Sequence, residues 1–280
     1  MTHLRIAQAI YKHFVDLIDE NGSIPVDMQA PSLVGTVQDD PFDRWVAARI
    51  AEALPQLEIF RSKPLITPDL LLRDRTDGAV LGIEVKKLIQ KPSGADSRGL
   101  TLDYNSCVPC GSALIKVGRD SVEAPTFYLF CLLSTDSINI VTLVLMDGDC
   151  LNYDFNLHKD SKVANISEYG HGPYGEGSVR RRAMYLYPSP LNRRLPFFHM
   201  RKVMVVKEFD AINLGVEGQA TDLIHRTDIH GNDFRYLILD SAKQEGAEVV
   251  ERFDIFAACK ARAGRARTPS VSKLPRFTKP

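Results

Sequence analysis

No net charge is left on this chain, because 35 Lys and Arg residues are matched by 35 Asp and Glu. That balance excludes a protein that meets nucleic acid through bulk positive charge. Any anionic partner must be met by local clusters instead. Cysteine is scarce, five in 280 residues, and odd in number. A disulfide scaffold is thereby disfavoured, and a reducing cytoplasm fits. Cys107-Val-Pro-Cys110 has the spacing of half a zinc site, but Cys131, Cys150 and Cys259 stand alone and no paired histidines follow. Structural or incidental thiols are therefore expected. The seven histidines show no ligand spacing, and His225 and His230, which flank Arg-Thr-Asp-Ile, read as loop residues. No apolar run approaches membrane-spanning length, and the N-terminal MTHLRIAQAIYKHF lacks the uninterrupted apolar core of a signal peptide. The expectation is a cytoplasmic protein with no membrane partner.

The basic residues that are present are concentrated. Between Ser178 and Lys207 lie Arg180, Arg181, Arg182, Arg193, Arg194, Arg201 and Lys202. From Lys260 onward the chain carries Arg262, Arg265, Arg267, Lys273, Arg276 and Lys279 with no acid. With 44% hydrophobic and 25% charged residues, the composition is that of an ordinary globular protein. No repeat and no sharp composition break divides it. We therefore expect one domain over residues 1–260 and a basic, flexible tail over 261–280.

Hydrophobic spacing gives the elements. Leu4, Ala7, Ile10, Phe14, Leu17 and Ile18 recur at helical intervals after Thr2, and Gly22 ends that helix. Residues 22–41 read as loop. Asp40-Pro41 looks like an N-cap followed by proline at the first helical position. The helix it opens buries Phe42, Trp45, Val46, Ile50 and Leu54 and stops before Pro55. Strands are expected at LEIF, PDLLL and AVLGIEVKKL, the last two joined by an Asp77-Gly78 turn. Residues 94–111 and 148–178 read as irregular. FYLFCLL and INIVTLVLM are continuous apolar runs, as central strands covered on both faces require. MYLYP, KVMVVKEF and RYLILD are later strands. Helices first, then a mixed sheet, predict an α/β or α+β domain with a mixed central sheet flanked by helices.

Charged residues inside these apolar strands stand out. Pro68-Asp69 precedes one strand of the hairpin and Glu84-Val85-Lys86 lies on the other. Alternation puts Glu84 and Lys86 on one face and Ile83 and Val85 on the second, with Lys87 facing the second or ending the strand. Slight divergence of the two strands lets Asp69 meet Glu84. Two carboxylates suit Mg²⁺, which takes oxygen ligands and keeps several waters. A lysine beside them can orient a nucleophile and stabilise charge on a transferring phosphoryl group. Glu52, in the last turn of the second helix, opposes the helix dipole. A position facing the metal would account for that cost. An exposed edge-strand pair is the plain alternative for Glu84 and Lys86, but apolar strands disfavour unpaired charge. The arginine clusters suit either solvated loops or contacts with bases and phosphates.

The pattern Pro68-Asp69 … Glu84-Val85-Lys86 resembles the PD-(D/E)XK nuclease superfamily, with Glu52 as the candidate acid of the preceding helix. The resemblance implies a restriction-endonuclease-like fold, Mg²⁺-dependent hydrolysis of phosphodiesters and 5′-phosphate ends. It makes Asp69 and Glu84 the metal ligands and Asp69, Glu84, Lys86 and Glu52 the catalytic set. The length and the arginine-rich second half look like a type II restriction endonuclease acting on double-stranded DNA. Arg180, Arg181, Arg182, Arg193 and Arg194 are then the DNA-reading candidates, and a homodimer matches the two-fold symmetry of a duplex. A structure-specific repair or recombination nuclease of the same fold, and a non-catalytic DNA-binding protein, are the alternatives.

Overall fold

A computed structural model of the chain describes residues 2–28, 32–34, 37–62, 68–93, 101–104, 111–117, 119–150, 185–188, 202–216, 220, 222–227 and 232–240. The first helix, α1 (His3–Asn21), buries Leu4, Ile6, Ala7, Ile10, Tyr11, Phe14, Val15 and Ile18 along one stripe. It stops at Gly22, whose φ of 73° lets its N–H reach back to the Ile18 carbonyl at 2.7 Å. After β1 (Ile24–Pro25), a short hairpin of β2 (Ser32–Val34) and β3 (Val37–Asp39) occupies part of the stretch expected to be loop. The second helix, α2 (Pro41–Ala53), begins as predicted: the Asp40 side chain accepts the Phe42 N–H and Pro41 opens the first turn. Phe42 and Trp45 stack at 5.7 Å between ring centres, and Phe14 of α1 lies 6.3 Å from Trp45.

The sheet strands that follow are β4 (Leu57–Arg61), β5 (Leu70–Asp74), β6 (Val80–Ile89), β9 (Asp120–Leu133), β10 (Asn139–Asp147), β12 (Lys202–Lys207), β13 (Asp222–Thr227) and β14 (Asp233–Asp240). Their order across the sheet is β13-β14-β12-β10-β9-β6-β5-β4. Also joined to it are β1, against β10, and β8 (Ser112–Val117), against β9. Pairing is mixed: β6 runs parallel to β9 and β10 parallel to β12, while β4–β5, β5–β6 and β9–β10 are antiparallel. The protein is therefore a mixed α/β fold with a central mixed sheet flanked by helices. A separate two-stranded ribbon pairs β7 (Thr101–Tyr104) with β11 (Tyr185–Pro188).

Alternation divides the buried side chains of the sheet. Ile83, Val85, Phe127, Leu129, Cys131, Leu143, Leu145, Met204 and Val206 join α1 and α2 in one core. Tyr128, Phe130, Leu132, Val144, Met146, Val203 and Val205 face the other way and are equally buried. Burial on both faces is why these strands read as unbroken apolar runs.

Three further local expectations differ from the structure. KVMVVKEF is not strand throughout: β12 ends at Lys207 and a short helix α3 (Glu208–Leu214) follows, closed by Gly215 at φ 68°. Acids at Glu208 and Asp210 in its first turn suit the positive end of the helix dipole. His225 lies on β13, paired with Asp233 at 3.2 Å, and not in a loop. Thr101–Tyr104, expected to be irregular, pairs as β7.

Candidate functional site

The hairpin of β5 and β6 carries the site. Its turn forms as Asp77-Gly78 predicts: Gly78 sits at φ 73° and the Ala79 N–H donates to Asp77 Oδ1 at 3.0 Å. Asp74 Oδ1 accepts the Thr76 N–H at 2.7 Å and braces the same turn. The ladder then runs back to its last pair, Leu70 with Ile83. Asp69 follows immediately, opposite Glu84. There the side chain takes over from the main chain, and Asp69 Oδ2 accepts the Val85 N–H at 2.8 Å.

Gly82 makes this approach possible. A methyl group on it would meet Pro68 Cγ at 2.8 Å and Thr126 Oγ1 at 2.7 Å. The buried Pro68 ring therefore lies where a side chain of β6 would otherwise be. The Ser62 hydroxyl donates to the Pro68 carbonyl and the Ser62 N–H to the Asp69 carbonyl, so the Pro-Asp pair is held from β4's end as well.

Glu84 is buried, with 3% of its surface exposed. Lys86 donates to its Oε1, as two residues on one strand face can. Its other oxygen, Oε2, is buried and has no hydrogen-bond partner among the described residues. The parallel register sets Tyr128 beside Glu84 and Phe130 beside Lys86, so the carboxylate stands against aromatic rings and away from water. A buried carboxylate oxygen without a donor is costly, and this one lies beside a second carboxylate.

That crowding shows in protonation. Burial first, then the Glu84 charge, pushes the Asp69 carboxyl up to about 8, against the pull of Lys86. Asp43, in the first turn of α2, also adds to this field. Its own carboxyl is pushed up to about 7, by burial first and then by Asp40, with Glu84 contributing and Lys86 and Lys87 opposing.

Asp43, and not Glu52, is thus the acid that α2 brings to the cluster. Glu52 lies nine positions further along, and at about 3.6 residues per turn this leaves it half a turn round the helix. It is exposed and pairs with Arg49 at 2.7 Å, while Arg49 also lies over the Trp45 ring at 5.9 Å. The dipole cost that singled out Glu52 is met by that neighbouring cation. No local signal in the sequence separates the two acids; the structure does, because the N-terminal end of α2, which carries Asp43, is the end tied to β6 through Lys87 and Asp40.

Among the described residues no group of three or more His, Cys, Asp or Glu side chains forms a ready-made metal cage. Two carboxylates are nonetheless what a hard cation that retains waters requires. The partnerless Glu84 oxygen and the raised Asp69 carboxyl are both features that a bound cation would relieve. Asp69 and Glu84 therefore fit Mg²⁺. Cys131 and Cys150 are buried. Cys107 and Cys110, and Arg180, Arg181, Arg182, Arg193 and Arg194, lie outside the described residues, as does the tail over 261–280. No helix among the described residues is long and apolar enough to cross a membrane. Searches of protein-family models, of curated proteins and of solved structures return no match to this chain.

Proposed function

We propose that this chain is a Mg²⁺-dependent, sequence-specific endonuclease of double-stranded DNA with a restriction-endonuclease-like arrangement. The observation that carries the reading is the convergence of Asp69, Glu84 and Lys86, with Glu84 Oε2 buried and without a hydrogen-bond partner among the described residues. Asp69 and Glu84 would hold the ion, which when bound polarises a phosphate and acidifies a water. The protein's own groups do the rest. The Val85 N–H fixes the Asp69 carboxylate. Tyr128 and Phe130 keep bulk water from the buried flank of Glu84, which strengthens every charge interaction there. Lys86, only partly buried at 27% side-chain exposure, can release Glu84 and present its ammonium to the attacking water and to the charge that builds on the phosphoryl oxygens. Two copies related by a two-fold axis would cut both strands of a palindromic site.

Incubation with long mixed-sequence DNA and Mg²⁺ tests the reading. Discrete fragments with 5′-phosphate ends are expected, lost in excess chelator. Asp69→Ala, Glu84→Ala and Lys86→Ala should each lower the cleavage rate by about two orders of magnitude or more while leaving DNA retention in a gel. Intact DNA under all conditions with a retained gel shift would leave a non-catalytic DNA binder. Cutting confined to branched or damaged duplexes would point to a repair enzyme.

A further inference from the structure

Lys86 and Lys87 are neighbours, and the pleat of β6 sends them to opposite faces of the sheet. Lys86 meets Glu84. Lys87 instead meets the start of α2. Its Nζ lies 2.9 Å from Asp40 Oδ1 and 3.0 Å from Asp40 Oδ2, and 5.7 Å from the centre of the Phe42 ring. Asp40 caps α2, and the same Oδ1 accepts the Phe42 N–H at 2.9 Å. One ammonium therefore ties β6, one residue beyond Lys86, to the cap and the second residue of α2. Asp43 is the next residue along that first turn.

We infer that Lys87 is a positioning residue, which fixes the N-terminus of α2 against β6 and so keeps Asp43 close to Asp69 and Glu84. This rests on the reading of those carboxylates as a cation-binding centre. The contact is poorly explained as a stabilising ion pair. The Lys87 and Asp40 side chains are 25% and 42% exposed, and half-exposed pairs contribute little to stability. Its geometry is more specific than a surface pair needs: both carboxylate oxygens and an aromatic face are engaged at once. The two adjacent lysines thus divide the work, one turned to the site and one to the helix that completes it.

Mn²⁺ titrated calorimetrically into the full chain separates positioning from charge. If Lys87 mattered only as a charge, Lys87→Met would remove a cation near a cation site and tighten Mn²⁺ binding. Positioning predicts the opposite sign: Lys87→Met lets the Asp43 charge drift from the centre and weakens Mn²⁺ by about tenfold, the low end of what losing a group outside the ligand shell costs. Lys87→Arg should restore most of that loss. Lys87→Met should add little to Asp43→Asn, since both act through the same carboxylate. Melting curves check that each variant is folded. Unchanged or tighter Mn²⁺ binding in a folded Lys87→Met protein overturns the inference, as does a full tenfold loss on top of Asp43→Asn. A Lys87→Met chain that does not fold shows the contact to be structural and overturns it too. A wild-type chain that takes up no Mn²⁺ overturns the cation-binding reading itself, and the positioning role with it.

Discussion

Asp69 is a carboxyl that the fold makes reluctant to ionise, and this has a consequence for stability. The ordinary value for the side chain is 3.8, and burial and Glu84 push it up to about 8 in the folded state. Between those values the native protein binds more protons than the unfolded chain. Stability is therefore full below the unfolded value and falls as pH rises towards the folded one. Asp43, pushed up to about 7, adds to the same slope. We expect the wild-type protein in chelator to lose melting temperature steadily from about pH 4 to pH 8. Asp69→Asn should fall less over that range and melt above wild type at pH 8. Melting curves across the range, with and without Mn²⁺, check this. The ion should raise the wild-type midpoint at pH 8 and leave the Asn variant nearly unmoved. An Asn variant that melts below wild type at pH 8 would show that the carboxylate is comfortable where it stands.

The β5–β6 hairpin is the element that turns a sequence motif into a site, and Gly82 is its weak point. A methyl there overlaps Pro68 Cγ and Thr126 Oγ1, and the proline ring is rigid. Gly82→Ala should destabilise by about 1–3 kcal/mol, as overpacking a filled interior does, and on the proposed function should reduce DNA cleavage by displacing Asp69 with Pro68. Denaturant midpoints and single-turnover cleavage give the two numbers. Destabilisation with wild-type cleavage would mean that Pro68 moves without its neighbour. Much of this was legible in the sequence. Asp40-Pro41, Asp77-Gly78 and the alternation of Ile83, Glu84, Val85 and Lys86 are local signals, each tied to one backbone requirement. The choice between Glu52 and Asp43 was not legible, because it depends on which end of α2 meets β6. The close approach of Pro68 to Gly82 was hidden for the same reason: a glycine within a strand signals close contact without naming the partner. The switch from β12 to α3 at Lys207 was obscured by Glu208-Phe209, which extends an apolar run that reads as strand.

For the molecule as a whole, zero net charge means that on the proposed function DNA must be met by patches. On the proposed function, residues 261–280 supply general affinity and Arg180–Arg182 with Arg193–Arg194 supply discrimination. Removing 261–280 should weaken cognate and random duplexes alike and flatten the dependence of binding on salt. Single arginine substitutions should weaken the cognate duplex selectively, by roughly 1–3 kcal/mol where a bidentate base contact is lost. Paired titrations at two ionic strengths measure both, and equal loss on the two duplexes in the arginine variants would reverse the roles. The arrangement of the site along the chain bears on a different matter, the order of assembly. Asp40, Asp43, Asp69, Glu84, Lys86 and Lys87 all lie on or directly before α2 and the strands of the β5–β6 hairpin, elements close in sequence. The pairing of β10 with β12, by contrast, spans everything between Asp147 and Lys202. Closing short loops costs less entropy and is faster. If assembly follows that order, the acids gather before β9 lays Tyr128 beside Glu84, while water still screens them. Their mutual repulsion would then be met in full only when the sheet is completed, which would make the strain of the centre a late event in folding and not an obstacle to starting it.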